Sequence, residues 1–328
     1  MAWRMLRFEL MAGQDLDELN ASSTVLAGSA HPALARAVAR ELGQALGGCA
    51  FERFPDGEIH VEVDAPAIEG RDVFVVQPTS KVASDHLLEL LLVADACRRA
   101  GAASISAVVP YFGYARQDRR KHDGEALGAR VVAQLLGTAR FERIVTVDPH
   151  SDVVEASLDV PFVRLSAVPL LARALEEHAG RDAVVVAPDL GAVRLAREYA
   201  GLLRLPLAVV HKVRKTGTDV SVERISGEVR GLYPILVDDM IATGATIVAA
   251  AHALHDAGSK REMTVAATHA VLAPHAIDRL RAAGLRRLLV TDTIALPEVE
   301  AETSVISVAP LLAGCIGRTA RRGPRIEG

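Results

Sequence analysis

Two adjacent carboxylates, Asp238 and Asp239, stand at the end of an apolar run in ILVDDMIATGAT, residues 235–246. Neighbouring acids repel each other and add nothing to packing, so at a strand end they suggest ligand hydroxyls or a metal ion. A Thr/Gly-rich loop follows, and then an alanine-rich helical stretch. A glycine turn onto a helix start presents several backbone N–H groups to an anion. The segment is therefore built like a phosphate cradle. Thr243, Gly244, Ala245 and Thr246 would hold the phosphate, with Asp238 and Asp239 placed for the hydroxyls of an attached sugar. Without the acid pair, a TG dipeptide would indicate only an ordinary strand-to-helix turn.

Other chemistry-bearing residues also follow apolar runs: Asp148 and His150 in IVTVDPH, and Asp189 in AVVVAPD. Ligands of open α/β sheets bind at the carboxyl ends of strands. A single strand-end Asp is commonly the N-cap of the next helix. Several such sites together can bind Mg²⁺ directly or through its waters, leaving other positions to substrate phosphates. Phe54, Asp56 and Glu58 belong to FPDGE, a turn former flanked by carboxylates between strand-like stretches. On its own that is a common turn. YFGYARQDRR, residues 111–120, gathers three arginines at a strand end, and Arg116 with Gln117 suits a polyphosphate and a base edge. Lys212 and Arg214 open a long polar segment, either a flap carrying cations to a reacting phosphate or an exposed hairpin.

The elements that must position these residues alternate strand and helix. Apolar runs at 22–29, 73–80, 105–111, 144–150, 183–189, 206–211, 235–239, 263–268 and 288–293 read as strands. Helices are expected from His31 to Leu46 and from Asp85 to Arg99. The alternation predicts the α/β class with parallel sheets and right-handed crossovers. A chain of 328 residues favours two domains of roughly 150 residues each. The expected boundaries are an N-terminal extension at 1–20, domains at 21–165 and 166–307, and a C-terminal helix and tail at 308–328.

Half of the residues are hydrophobic, enough for two cores, and no apolar run approaches the ~20 residues of a membrane span. A net charge of −4 with 4% aromatic residues argues against a nucleic-acid surface. Cys49, Cys97 and Cys315 are odd in number and widely spaced, which predicts reduced structural thiols. The expected compartment is the cytoplasm.

FPDGE, YFGYARQDR, VDPH, VAPDLG, VDDMIATGAT, TDTIALP and SVAPLL occur together, in the order seen in ribose-phosphate diphosphokinases. The chain resembles that family, the phosphoribosyl pyrophosphate synthetases, from about residue 23 to residue 320. The resemblance implies two similar phosphoribosyltransferase-like domains, each a mainly parallel sheet flanked by helices. It implies transfer of the β,γ-diphosphoryl group of ATP to the anomeric hydroxyl of ribose 5-phosphate, giving phosphoribosyl diphosphate and AMP for nucleotide biosynthesis, with Mg²⁺ as cofactor. It also implies homo-oligomers, commonly hexamers built from dimers, in which FPDGE of a neighbouring subunit completes the ATP site.

Matched position by position, Phe54, Asp56, Glu58, Arg116 and Gln117 resemble ATP contacts, and His150 and Asp189 the Mg²⁺-associated residues. Asp238, Asp239, Thr243, Gly244, Ala245 and Thr246 resemble the ribose 5-phosphate loop, and Lys212 and Arg214 a mobile catalytic arm. Phosphoryl transfer is mostly alignment and charge neutralisation, which agrees with these residue types.

There are also departures from the family. Ala242 stands where most synthetases carry a third acid, and SDVVEASLDVP follows VDPH in place of a Gln/Gly/Phe-rich stretch tied to subunit contacts and allosteric control. Two other classes remain open. A phosphoribosyltransferase, or a relative consuming phosphoribosyl diphosphate in reverse, would use the same loop but has no need of the paired FPDGE and YARQD segments. A non-catalytic regulatory subunit of a synthetase has no need to retain Lys212, Arg214, His150 and Asp189.

Overall fold

The computed structural model describes residues 22–120, 122–177, 180, 182–214, 220–296 and 301–320, with the backbone alone for 212–214, 220–223 and 320. The extension expected at 1–20 and the tail at 321–328 lie outside the described residues. By internal contacts the described chain falls into two units. The first runs to Thr146 and includes Ser151–Leu165 and the residues from Ala309 onward; the second comprises Val147–His150 and Ser166–Val308.

The first half of the chain supplies strands β1 (Ser23–Ala27), β2 (Cys49–Arg53), β3 (Ile59–Val63), β4 (Asp72–Val76), β5 (Ser104–Val108), β6 (Arg143–Val147) and β7 (Phe162–Leu165). Five of them form one sheet in the order β1-β4-β5-β6-β7, and β2 and β3 form a separate antiparallel hairpin. The pairs from β1 through β6 are parallel, with Val25 opposite Phe74, Phe74 opposite Ser106, and Ser106 opposite Arg143. Val73, Val75, Ala107, Val108 and Ile144 have no exposed surface. Continuous apolar runs of this kind are what a sheet covered on both faces requires.

The helices of this half are α1 (Pro32–Glu41), α2 (Ala65–Ile68), α3 (Ala83–Arg99), α4 (Gly128–Thr138) and α5 (Val153–Ala156). Helix α3 buries Leu87, Leu90, Val93, Ala94 and Cys97 at intervals of three and four, and it packs on β3, β4 and β5. Helix α1 stops at Glu41, short of the Leu46 expected from its apolar spacing. The Gln44 N–H donates to Ala39 O and the Gly43 N–H to Arg40 O, both at 3.0 Å, with Gly43 at φ +71. This is a Schellman stop, which a left-handed glycine makes at low cost. Leu46 instead bridges to Val25 of β1.

The second sheet has the order β10-β9-β8-β11-β12-β13-β14. Its strands are β8 (Ala183–Ala187), β9 (Leu207–Arg214), β10 (Val220–Ser226), β11 (Tyr233–Ile241), β12 (Met263–Ala270), β13 (Leu285–Thr291) and β14 (Thr303–Ile306). All neighbours are parallel except β9 and β10. The helices are α6 (Val168–Glu176), α7 (Val193–Leu203), α8 (Ala245–Asp256) and α9 (Ala276–Ala282), and α10 (Ala309–Ala320) returns to pack on α1 in the first unit. Cys97 and Cys315 are buried and Cys49 half-buried, and all three thiols are free. Among the described residues no helix is long and apolar enough to cross a membrane.

One buried carboxylate ties the first unit together. Glu89 of α3 is almost fully buried and accepts from the Ser29 N–H, the Ser29 hydroxyl and the Gln77 side-chain amide, each at 2.6 Å. These bonds fix the turns after β1 and β4. Glu89→Ala would orphan three donors, at ~1–3 kcal/mol for each that stays buried. The urea midpoint should fall by a corresponding amount with the m-value unchanged; an unshifted midpoint would mean that water replaces the carboxylate without loss.

Candidate functional site

The site begins with the strand order. Around its centre the second sheet reads β9-β8-β11-β12-β13, so the chain leaves β8 in one direction and returns on its other side as β11. That reversal is a topological switch point, where a crevice opens outside the carboxyl ends of the two strands. Asp189 follows β8, and Asp238 and Asp239 lie in the last four residues of β11, which runs on to Ile241, past the Asp239 expected from the sequence.

The loop after the acid pair is pinned from both sides. Leu272 and Ala273 donate their N–H groups to Ile241 O and Ala242 O, each at 2.9 Å, and the Arg279 guanidinium donates to Thr243 O at 3.2 Å. Gly244 is the N-cap of α8 at φ +76, a left-handed conformation that a side chain would strain. Ala245 N–H donates to the Thr243 hydroxyl at 3.4 Å. The first turn of α8 contains no acidic residue, so the positive end of its dipole is not offset by the helix itself. An anion bound at 243–246 would meet that end.

His150 brings a second segment to the acid pair, its Nδ1 donating to Asp239 Oδ2 at 2.5 Å. Asp238 has its carboxyl pushed well above the usual range, first by burial and then by repulsion from Asp239 and Asp189. For Asp239 burial also acts upward, but the hydrogen bond and charge of His150, with His269 beyond it, outweigh burial and hold this carboxyl below the usual range. Two adjacent residues of one type are thus shifted in opposite directions, because His150 bonds Asp239 while Asp238 meets burial and like charge.

Asp189 also braces the turn that leads into α7, since its Oδ1 accepts from Gly191 N–H at 2.9 Å and Ala192 N–H at 3.3 Å, although the helix itself starts at Val193 with Ala192 as its N-cap. Lys212 and Arg214 are on β9, opposite Val222 and Val220 of β10. Their backbone belongs to a hairpin; their side chains, like residues 215–219 of the expected flap, lie outside the described residues.

The remaining sequence candidates belong to the first unit. Phe54, Asp56 and Glu58 form the exposed turn of the β2–β3 hairpin, where Phe54 N–H donates to Glu58 O at 2.9 Å and Glu58 N–H to Asp56 Oδ1 at 3.2 Å. Phe54 leaves 51% of its surface exposed. Arg116 and Gln117 are in the loop after β5, both exposed, and Gln117 O accepts from Ala129 N–H at 3.1 Å, at the start of α4. Sequence reasoning missed Thr268, His269 and Arg279. The strand-end rule that found Asp148 would have found the first two at the end of β12, whereas nothing in the sequence marks an arginine on α9 as a partner of the 243–246 loop.

Comparison with known proteins places both halves. The family described as the N-terminal domain of ribose phosphate pyrophosphokinase matches residues 23–139, and the phosphoribosyl transferase domain family matches residues 166–285. A ribose-phosphate pyrophosphokinase of Bacillus caldolyticus is 42% identical over 287 residues, covering 87% of this chain and 90% of that protein. One from Staphylococcus aureus is 40% identical over 308 residues, covering 92% and 95%. The crystal structure of phosphoribosylpyrophosphate synthetase from Mycobacterium smegmatis superposes with a TM-score of 0.85 at 40% identity, covering 92% of this chain and all of that one.

The raised carboxyl of Asp238 has a consequence for stability. Because folding raises its pKa, folding favours the protonated form. The contribution is fully present below the unfolded-state pKa and is lost as pH rises through the folded one. Asp238→Asn removes that loss, so at pH 8 the unliganded variant should melt above wild type, by about 2–4 °C per kcal/mol relieved, with the difference shrinking as pH falls toward 4. Calorimetry across that range checks it, and a variant that melts lower at pH 8 would mean that the carboxylate is stabilising.

Proposed function

The chain belongs to the ribose-phosphate pyrophosphokinase family, and from that premise we propose that it transfers the β,γ-diphosphoryl group of ATP to the anomeric hydroxyl of ribose 5-phosphate, releasing AMP. The observation that carries this reading is the acid pair at the switch point, followed within a short loop by a glycine-capped helix start. Carboxylates there suit the ribose hydroxyls, and Thr243, Gly244, Ala245 and Thr246 suit the 5-phosphate.

In this scheme each group has a positional or electrostatic role. Asp238 and Asp239 grip the sugar and turn its anomeric oxygen toward the diphosphoryl group. Phe54, Asp56, Glu58, Arg116 and Gln117 hold ATP, and Lys212 and Arg214 neutralise the transferring oxygens. In-line displacement at phosphorus needs alignment and charge neutralisation more than a covalent nucleophile. The exposed Phe54 at a hairpin tip supports a homo-oligomer, built from dimers up to a hexamer, in which this turn completes a neighbour's ATP site.

The donor set also suits Mg²⁺. Asp189 and Asp239 lie close enough to Asp238 to raise its pKa, and hard oxygen donors that repel one another are stabilised by a divalent cation. Among the described residues no group of three or more His, Cys, Asp or Glu forms a cage, and Mg²⁺ at such sites takes its remaining ligands from water and substrate phosphates. His150 and Asp189 would hold it. When bound, it supplies charge neutralisation on the phosphate oxygens.

Purified protein given ATP, Mg²⁺ and ribose 5-phosphate should form AMP and phosphoribosyl diphosphate in equal amounts. Absence of both, with nucleotide formed instead from phosphoribosyl diphosphate and a free base, would favour a transferase. Lys212→Ala should lower kcat by about 10²–10³, while both KM values stay within a few-fold. Unchanged turnover in that variant would remove the β9 cations from the mechanism.

A further inference from the structure

Asp148 occupies a left-handed backbone conformation, at φ +36, in the turn that carries His150. Non-glycine residues persist there only when their surroundings over-determine them. The surroundings here are two consecutive residues at the end of β12. The Thr268 hydroxyl donates to Asp148 Oδ2 at 2.7 Å, and His269 Nε2 donates to the Asp148 carbonyl at 3.1 Å. Ala167 N–H also donates to Oδ2, at 2.9 Å. With its Nε2 proton on Asp148, a neutral His269 accepts at Nδ1 from the Thr293 hydroxyl at 2.9 Å. The Thr291 hydroxyl closes the set on Thr268 O at 2.6 Å.

Thr268 and His269 are 1% and 2% exposed in a strand whose other members include Met263, Val265, Ala266 and Ala267. Apolar residues would pack equally well there, so polar groups at these two positions call for a reason beyond burial. The reason lies one strand away. β12 pairs with β11, with Asp238 opposite Ala267 and Met240 opposite His269. The strand that sets the register of the acid pair therefore also grips, by side chain and by carbonyl, the residue two positions before His150.

We propose that Thr268 and His269 are positioning residues: by clamping Asp148 they hold the His150 imidazole on Asp239 and so orient Asp239 toward the ligand. This rests on the assignment of Asp239 to the ribose hydroxyls. Neither residue need touch substrate. Partners of this indirect kind fix a side chain's orientation, and their loss typically costs 10–100-fold in affinity or activity.

Thr268→Val keeps the shape and removes the hydroxyl, whereas Thr268→Ser keeps the hydroxyl. The valine variant should raise KM for ribose 5-phosphate by about 10–100-fold while leaving KM for ATP unchanged, and the serine variant should restore it. A general loss of packing would not separate the two KM values. In a crystal structure of Thr268→Val, His150 Nδ1 should lie beyond hydrogen-bonding distance of Asp239. An intact His150–Asp239 bond in that structure, or a serine variant no better than valine, overturns the proposal. If the valine variant does not fold, His269→Asn is measured by the same distance. If wild-type protein makes no phosphoribosyl diphosphate, the functional reading fails, and the structural distance still decides the positioning claim.

Discussion

Two like charges on consecutive residues at the end of a buried strand are the constraint around which the second unit is arranged. At an effective dielectric constant near 20, unit charges 4 Å apart differ by about 4 kcal/mol from separated ones, and Asp189 adds a third carboxylate nearby. The protein relieves part of this by placing His150 on Asp239 and by letting the buried Asp238 lean toward its protonated form. Under the proposed function, the remainder is left for the ligand to satisfy. A site that is unfavourable without ligand and favourable with sugar hydroxyls or a divalent cation is preorganised for binding and costs stability in the unliganded protein.

Strand order explains why this happens in one sheet and not the other. In the second sheet, β9 and β11 lie on opposite sides of β8, which opens a crevice at the strand ends. In the first sheet the described strands follow one another from β1 through β7, and the intervening β2 and β3 leave the sheet to form a hairpin. No reversal arises there. The polar groups at the ends of β1 and β4 are consumed by Glu89, a stabilising network where the other unit has an open crevice. Two halves of similar architecture thus dispose of their strand-end polar groups differently, because the chain crosses one sheet and runs sequentially along the other.

Within the crevice, orientation depends on bonds that span large sequence separations. Asp148 meets Thr268 and His269 about 120 residues along the chain, His150 meets Asp239 across 89, and Arg279 holds the carbonyl of Thr243 across 36. Buried polar networks of this sort rigidify a site only when each member is satisfied. The neutral His269 meets that requirement by donating from one ring nitrogen and accepting at the other.

The sequence by itself determined the α/β class, the principal parallel strands and their strand-end residues, whereas β7, β10 and β14 were not among its apolar runs. Apolar runs, alternation with amphipathic helices, and turn chemistry are local properties, set by burial and backbone sterics over a few residues. They marked Asp238, Asp239 and the 243–246 loop as candidates, and the order of motifs identified the family. Local spacing misjudged the end of α1, where Gly43 closes a Schellman stop and frees Leu46 to pair with β1. Only the tertiary structure decided which strand ends share a crevice, that Asp238 and Asp239 are driven in opposite directions, and that Thr268 and His269 grip Asp148. Those outcomes depend on strand order and on desolvation. Both are set by contacts between residues far apart in the chain, and no local window of sequence contains them.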